Sequence, residues 1–231
     1  MTDWMKSGNA AVITGGASGI GLAAARRYLA AGMRVLIADL SEEGLAEAAA
    51  SLSGAGELHT RICDVSDYDQ VVGLQEFAAD ALGHIHCLMN NAGAAFPPSK
   101  PWENLEIWKK QVEINLWGII HGCQAFVPAM LAAGVRGAVI NTGSKQGITN
   151  PPGGYAYNLS KAGVKAYTES LAHALREEEG CQLSAHLLVP GFTYTGMIAR
   201  FIPEQPAGAW TSEQVVEFLL ESLQRGDFYV L

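Results

Sequence analysis

Charge is scarce in this chain, and its basic residues are nowhere clustered. Asp, Glu, Lys and Arg make up only 16% of its 231 residues, the formal net charge is −8, and no run of lysines or arginines occurs. That balance argues against nucleic acid or an anionic membrane surface as a partner, since both call for a basic patch. Cysteine is sparse too: Cys63, Cys87, Cys123 and Cys181 stand far apart, with no C-x-x-C pair and no Cys/His ligand spacing. Such a pattern reads as buried free thiols in a reducing compartment rather than a disulfide framework or a zinc site. His84 and His86 alternate along one apolar run but have no third ligand nearby, so no metal is expected. The opening residues MTDWMKSGNA hold no apolar signal core, and no run approaches the roughly 18 apolar residues of a membrane span. A cytoplasmic protein acting on a small molecule is what these absences leave.

Apolar surface and glycine are abundant instead. Hydrophobic residues are 49% of the chain and glycines number 26, the composition of a tightly packed globule. The length suits one α/β domain over residues 1–231 and is short for two. Apolar runs predict strands at about 10–13, 34–39, 58–62, 85–89, 137–141, 183–189 and 228–231, the third with alternating Leu58, Thr60 and Ile62. Between them lie helical stretches at about 19–31, 103–133, 155–179 and from 211 onward. Ser41 is expected to cap a further helix, and Ser66 with Asp69 resembles a capping box before another. Pro128 is expected to kink the last turns of the 103–133 helix. Residues 193–210 read as a mobile lid. Strict β/α alternation with brief connections predicts an α/β fold, a doubly wound parallel sheet of about seven strands with helices on both faces.

Three clusters carry chemistry. After the first strand, Thr14-Gly15-Gly16-Ala17-Ser18-Gly19-Ile20-Gly21 places Gly15, Gly19 and Gly21 in a G-x-x-x-G-x-G spacing. Either this is a tight strand-to-helix connection or its glycines let the backbone approach a pyrophosphate at a helix N-terminus. Asp39, 18 residues beyond Gly21 at the end of the second strand, supports the second reading. Its carboxylate can accept hydrogen bonds from a ribose and repels a 2'-phosphate. Neither Ala17, Ser18 nor Leu40 supplies a cation to hold that phosphate, which favours NAD over NADP. Asp64 and Val65, ending the third strand, either hold an adenine edge or merely enter a helix. Finally, Tyr157 and Lys161 are four apart and share a helix face, and Ser144 follows a buried strand. A hydroxyl, a phenol and an ammonium converging at strand carboxyl ends point to general acid/base work.

Taken in order, these motifs resemble the short-chain dehydrogenase/reductase family in its compact single-domain branch. TGGASGIG matches the family's TGxxxGxG turn, Asn90-Asn91-Ala92-Gly93 its NNAG, Tyr157-Asn158-Leu159-Ser160-Lys161 its YxxxK, and Pro190-Gly191 its PG motif. Ser144 lies 13 before Tyr157, and Asn115 falls where the fourth catalytic residue is expected. The resemblance implies a Rossmann-type fold, NAD as cofactor, and catalysis by Asn115, Ser144, Tyr157 and Lys161. Cofactor contacts are implied for Gly15, Ser18, Gly19, Ile20, Gly21, Asp39, Asp64, Val65, Asn91, Ala92 and Gly93. Tyr157, Lys161, Pro190, Gly191 and Thr193 complete that set.

Tyr157 would exchange a proton with the substrate oxygen, Ser144 would hydrogen-bond that oxygen, and Asn115 would hold a water near Lys161. An ammonium about 4 Å away at an effective dielectric of about 20 is worth roughly 4 kcal/mol, enough to bring a phenol from about 10 to near 7. Gln146 is expected to reach substrate. Tyr155 lacks a lysine at i+4 and reads as a pocket wall or as ordinary packing. Trp102, Trp108 and Trp117 are expected to pack helices, with subunit contact second, and His86 stands where the family usually has Asp. A homodimer or homotetramer through the two long helices is implied, and residues beyond Leu231 are expected in relatives. Apolar side chains in or beside the lid, Phe192, Tyr194, Met197, Ile198, Phe201 and Ile202, lean toward an apolar or aromatic alcohol. The rival reading is an NAD(H)-binding sensor or scaffold of the same fold that turns nothing over.

Overall fold

The computed structural model describes residues 3–199 and 202–231, apart from the side chains of Met197 and Ile198. The first half alternates β1 (Ala10–Thr14), α1 (Gly19–Ala30), β2 (Arg34–Asp39), α2 (Glu42–Ser51), β3 (Leu58–Ile62), α3 (Tyr68–Leu82) and β4 (Ile85–Asn90). Two helices follow, α4 (Leu105–Val112) and α5 (Gly118–Ala133), joined by a π-helical turn at Glu113–Trp117. The rest comprises β5 (Gly137–Thr142), α6 (Gln146–Thr149), α7 (Tyr155–Glu177), β6 (Leu183–Leu188), α8 (Gly196–Ala199), α9 (Ser212–Arg225) and β7 (Tyr229–Val230).

Among the described residues, seven strands form one parallel sheet in the order β3-β2-β1-β4-β5-β6-β7. This is the doubly wound Rossmann-type architecture expected. The chain winds outward from β1 to β3, then restarts at β4 on the other side of β1. The connections leaving β1 and β4 therefore run in opposite directions and open a crevice at their carboxyl ends.

Period-two alternation decides what each face buries. Ala11 and Ile13 join one apolar cluster with Tyr28, Leu45 and Leu219, from α1, α2 and α9. Ala10 and Val12 join the opposite one with Leu74, Phe126 and Val164, from α3, α5 and α7. Both faces are covered, which is why β1 and β5 are buried along their whole length and read as unbroken apolar runs. Each buried Val, Leu or Ile contributes roughly 1.5–3 kcal/mol.

Several local expectations are corrected. α3 is capped by Asp67, whose carboxylate accepts the Asp69 and Gln70 amides, while Ser66 turns back to Asp64. A carboxylate one residue nearer the helix satisfies two free amides at the positive end of the dipole. β3 is an outer edge and does not alternate; Thr60, Arg61 and Ile62 are all exposed. Trp102 lies on the turn before α4 and is 80% exposed, so it packs no helix. His86 sits at a register shift between β1 and β4, where its Nδ1 accepts the Ala10 amide at 3.2 Å. Pro128 lies within α5, which runs on to Ala133.

Residues 105–133 are, on averaged composition, long and apolar enough to cross a membrane, although no uninterrupted run has that length. Ile119, Cys123, Phe126 and Met130 of this stretch are packed in the core beneath the sheet. Cys63, Cys87 and Cys123 are buried and Cys181 half-buried. Burial pushes the Cys87 and Cys123 thiols up to about 12, which keeps them protonated and unreactive.

Candidate active site

The crevice between β1 and β4 is shaped by atoms that are missing. Gly15 (φ 65°) and Gly19 (φ 54°) adopt left-handed backbone. A Cβ on Gly15 would come within 2.7 Å of the Ala92 Cα, and one on Gly21 within 2.2 Å of the Gly15 carbonyl oxygen. Asn91 stitches the two strand ends together: its Nδ2 donates to the Thr14 and Gly15 carbonyls at 3.3 and 3.1 Å, and its amide to Thr14 Oγ1 at 3.1 Å. Ser18, exposed at the mouth, precedes α1, and Ile20 packs partly against the core.

Asp39 belongs to the same wall. Its carboxylate accepts the Ala17 amide (3.2 Å) from the glycine turn and the Ser41 amide (3.2 Å). Asp64 is more committed to its own loop: Oδ1 accepts from the Ser66 amide and hydroxyl, and its amide donates to Gln70. Val65 is buried with its carbonyl on His121 Nδ1 at 2.9 Å. These bonds match the helix-entry reading of Asp64, since Ser66 and Gln70 belong to the entry of α3.

On the other side of β4, α7 brings Tyr157 and Lys161 onto adjacent turns of one face. Lys161 is buried, its Nζ donating to the Thr142 carbonyl at 2.7 Å and lying 5.9 Å from the Tyr157 ring centroid. The Thr142 hydroxyl in turn donates to Asn91 Oδ1 at 3.3 Å, which ties the lysine's anchor to the glycine turn. Burial pushes the Tyr157 phenol above the ordinary tyrosine range, opposed by a hydrogen bond with Ser144. Burial also pulls the Lys161 ammonium down to about 8. The expected fall of the phenol toward 7 is therefore not produced by these residues: burial raises the phenol, and the Ser144 hydrogen bond only opposes that rise.

Asn115 is fully buried in the π-helical turn. The wider turn directs its side chain at strand β4's exit, where Oδ1 accepts the Ala94 amide (2.8 Å) and Nδ2 donates to the Ala94 carbonyl (2.9 Å). A Cβ on Gly93 would lie 3.4 Å from Asn115 Oδ1 and 3.8 Å from Lys161 Nζ, so Asn115 and Lys161 converge beside Gly93. Ser144 Oγ accepts the Gln146 amide at 3.2 Å, and the half-buried Tyr155 opens α7. Gln146 is exposed.

Pro190 and Gly191 follow β6, and the Pro190 carbonyl accepts the Lys145 amide at 3.0 Å. Thr193 is 7% exposed and its hydroxyl has no partner among the described residues. The expected lid is tied at both ends, since Thr193 bridges to Trp210 and the Tyr194 amide donates to the Trp210 carbonyl at 2.8 Å. Of the lid side chains singled out from sequence, those of Met197 and Ile198, and the whole of Phe201, lie outside the described residues. A cleft of about 220 Å³ opens behind this segment, between Phe192, Trp210, Phe218 and Val230.

Two residues escaped the sequence reading. The Thr195 methyl lies 3.4 Å from where a Cβ on Gly19 would be, which brings the 193–195 segment onto the glycine turn. Its signal was the second hydroxyl in Thr193-Tyr194-Thr195. The other is Asn158, buried beside Tyr157.

Parallel sheet, switch-point crevice and glycine cradle together define a dinucleotide-binding type of α/β fold. The family model for short chain dehydrogenase matches residues 9–206, and the chain belongs to that family. It is 36% identical over 227 residues to the 1-deoxy-11-beta-hydroxypentalenate dehydrogenase of Streptomyces exfoliatus, covering 96% of this chain and 82% of the relative. To the 3beta-hydroxysteroid dehydrogenase 2 of Eggerthella lenta it is 34% identical, covering 83% and 73%. A short chain dehydrogenase/reductase of Burkholderia phymatum, solved in complex with NAD, is similar with a TM-score of 0.91 at 30% identity, covering 99% of this chain and 89% of the other.

Proposed function

We propose that this chain is an NAD-dependent oxidoreductase that interconverts a secondary alcohol and its ketone, with cofactor and substrate held by one domain. The observation that carries the reading is the meeting of Ser144, Tyr157 and Lys161 at the carboxyl end of β5, with the phenol hydrogen-bonded to the serine. Two of the relatives described above are named as dehydrogenases of hydroxylated compounds, a hydroxypentalenate and a hydroxysteroid, which supports an alcohol as substrate.

A dinucleotide suits the turn, because Gly15 and Gly21, which have no room for a Cβ, let it close tightly at the N-terminus of α1, where free amides favour a phosphate. Ser18, Gly19, Ile20, Asn91, Ala92 and Gly93 would line it, with Thr195 closing over Gly19. Asp39, already bonded to the Ala17 amide beside the cradle, would accept the ribose hydroxyls and disfavour a 2'-phosphate, hence NAD. Asp64 and Val65 would flank the adenine, and Pro190, Gly191 and Thr193 the nicotinamide. When bound, NAD accepts hydride from an alcohol, and NADH returns it to a carbonyl.

The chain's own residues handle the proton. In ketone reduction Tyr157 donates its phenolic proton to the substrate oxygen, and in alcohol oxidation it takes that proton back. Ser144 donates a hydrogen bond to the same oxygen as it gains charge. The Lys161 ammonium, while charged, favours the phenolate electrostatically and so works against the burial that raises the phenol. Asn115, beside Lys161 and bonded to Ala94, would hold a water through which the lysine exchanges protons. Gln146 and Tyr155 would border the substrate. Exposed Trp117 and Leu159, on the two long helical segments, support a homodimer or homotetramer.

The test is an absorbance assay of NAD and NADP reduction against a panel of apolar and aromatic secondary alcohols. Turnover with NAD preferred is expected. NADH binding without turnover on any alcohol of the panel favours the sensor reading.

A further inference from the structure

We propose that Asn158 is a positioning residue that sets the spacing between Ser144 and Tyr157 by clamping the loop between α6 and α7; this rests on the reading given above. Ser144 stands at the head of α6, with its hydroxyl accepting the Gln146 amide (3.2 Å) and its carbonyl the Gly147 amide (3.0 Å). Where α6 goes, Ser144 goes. α6 lies hard against α7, since a Cβ on Gly147 would come within 2.6 Å of the Lys161 carbonyl carbon and oxygen. That contact and the Lys145 amide on the Pro190 carbonyl (3.0 Å) hold the head and middle of α6, but neither reaches its exit at Thr149.

The exit is held by Asn158. The chain leaves α6 through Asn150 in left-handed backbone (φ 45°), then runs Pro151, Pro152, Gly153 and Gly154 into α7. Asn158 Nδ2 donates to Asn150 Oδ1 at 3.0 Å and to the Pro151 carbonyl at 2.7 Å, while its own amide donates to the Gly154 carbonyl at 2.7 Å. No other hydrogen bond among the described residues reaches the Asn150 side chain or the Pro151 carbonyl. Asn158 is 2% exposed, so water does not reach its two donors, although Asn150 itself lies at the surface. A side-chain amide is what the position requires: it carries two N–H donors on one nitrogen, where serine has one donor and alanine none. Because Asn158 adjoins Tyr157 on α7, both ends of the Ser144–Tyr157 pair are referred to the same turn of helix.

The test uses the full chain, with acetophenone and NADH as probe, and a double-mutant cycle. Asn158→Ala removes both bonds, and Asn150→Gly removes one while keeping a residue that tolerates positive φ. If Asn158→Ala fails to fold, Asn150→Gly on the exposed side of the clamp carries the test. Expected are falls in kcat/KM of about thirtyfold and about fivefold, the scale at which misplacement of about an ångström costs up to about a hundredfold. The NADH dissociation constant, from fluorescence titration, should stay within about twofold. In a Ser144→Ala background both falls should shrink to about twofold or less, because the clamp then has nothing to position. Unchanged kcat/KM, full falls in the Ser144→Ala background, or loss of NADH affinity in parallel would overturn the proposal. Crystal structures of wild type and Asn150→Gly give a substrate-free arm, in which the Ser144–Tyr157 oxygen separation should lengthen in the variant; an unchanged separation overturns the clamp. If wild type turns over neither acetophenone nor any alcohol of the panel, the functional reading fails, and this arm still decides whether Asn158 sets the spacing.

Discussion

The glycine turn after β1 and the segment from Ser144 to Lys161 reach the same crevice by opposite means. At the turn, position is fixed by missing atoms: there is no room for a Cβ at Gly15 or Gly21, and Asn91 bonds backbone to backbone. Along the proposed catalytic segment, position is fixed by side chains that are present and buried, with Lys161 on Thr142 and Asn158 on Asn150 and Pro151, and with Asn115 on Ala94 beside it. The first region is intolerant of added atoms and the second of lost hydrogen bonds. One surface can thus hold a cofactor through close backbone approach and still vary its chemistry through a handful of polar side chains.

The largest effect expected is in the catalytic region alone. Tyr157→Phe should lower kcat/KM by about a thousandfold, the scale of a lost general acid, with NADH affinity within about twofold by fluorescence titration. If the two fall together, the division between the regions collapses. Gly21→Ala should do the reverse, because its Cβ would lie 2.2 Å from the Gly15 oxygen. Overpacking of about 1–3 kcal/mol predicts NADH binding weakened by roughly ten- to a hundredfold, with kcat at saturating cofactor little changed.

A pH profile sharpens the comparison further. Lys161 is charged below about 8 and neutral above it, while burial keeps Tyr157 protonated beyond the ordinary tyrosine range. Ketone reduction needs both the phenolic proton and the cation. Its kcat/KM should be level at lower pH and fall as pH rises through about 8, reaching roughly a tenth of the plateau one unit higher. Lys161→Arg should move that fall upward by at least one unit even if the plateau is low; a fall at the same pH would detach it from the lysine. The smallest shift expected is in the cofactor region, where Asp39→Ala should cut the preference for NAD over NADP by about tenfold, as for one charge-assisted hydrogen bond. An unchanged ratio of kcat/KM values would remove Asp39 from the ribose.

Legibility followed the same division. The strands of the parallel sheet, the glycine turn and the Tyr157–Lys161 pair were readable because each depends on local pattern: apolar runs, glycine spacing, i and i+4 on a helix. The α3 cap was misplaced by one residue because Ser66 and Asp67 both suit the role locally, and Asp64 claims the serine. α6 went unseen since four residues carry no periodicity. The π-helical turn that aims Asn115 was equally hidden, being an insertion in the backbone ladder rather than a change in residue type. Asn158 looked like a spacer between Tyr157 and Lys161, and only the return of the Pro151 loop gives it partners.

The sequence by itself determined which groups are available to the crevice, a bare backbone at Gly15 and Gly21, a carboxylate at Asp39, and a phenol, hydroxyl and ammonium at Tyr157, Ser144 and Lys161. Only the tertiary structure decided their electrostatic state and aim. Burial raises Tyr157 and lowers Lys161, and the Thr142 carbonyl accepts a hydrogen bond from the ammonium. The physical reason is that spacing along a helix is a property of neighbours in the chain, whereas desolvation and hydrogen-bond direction depend on residues far away in it.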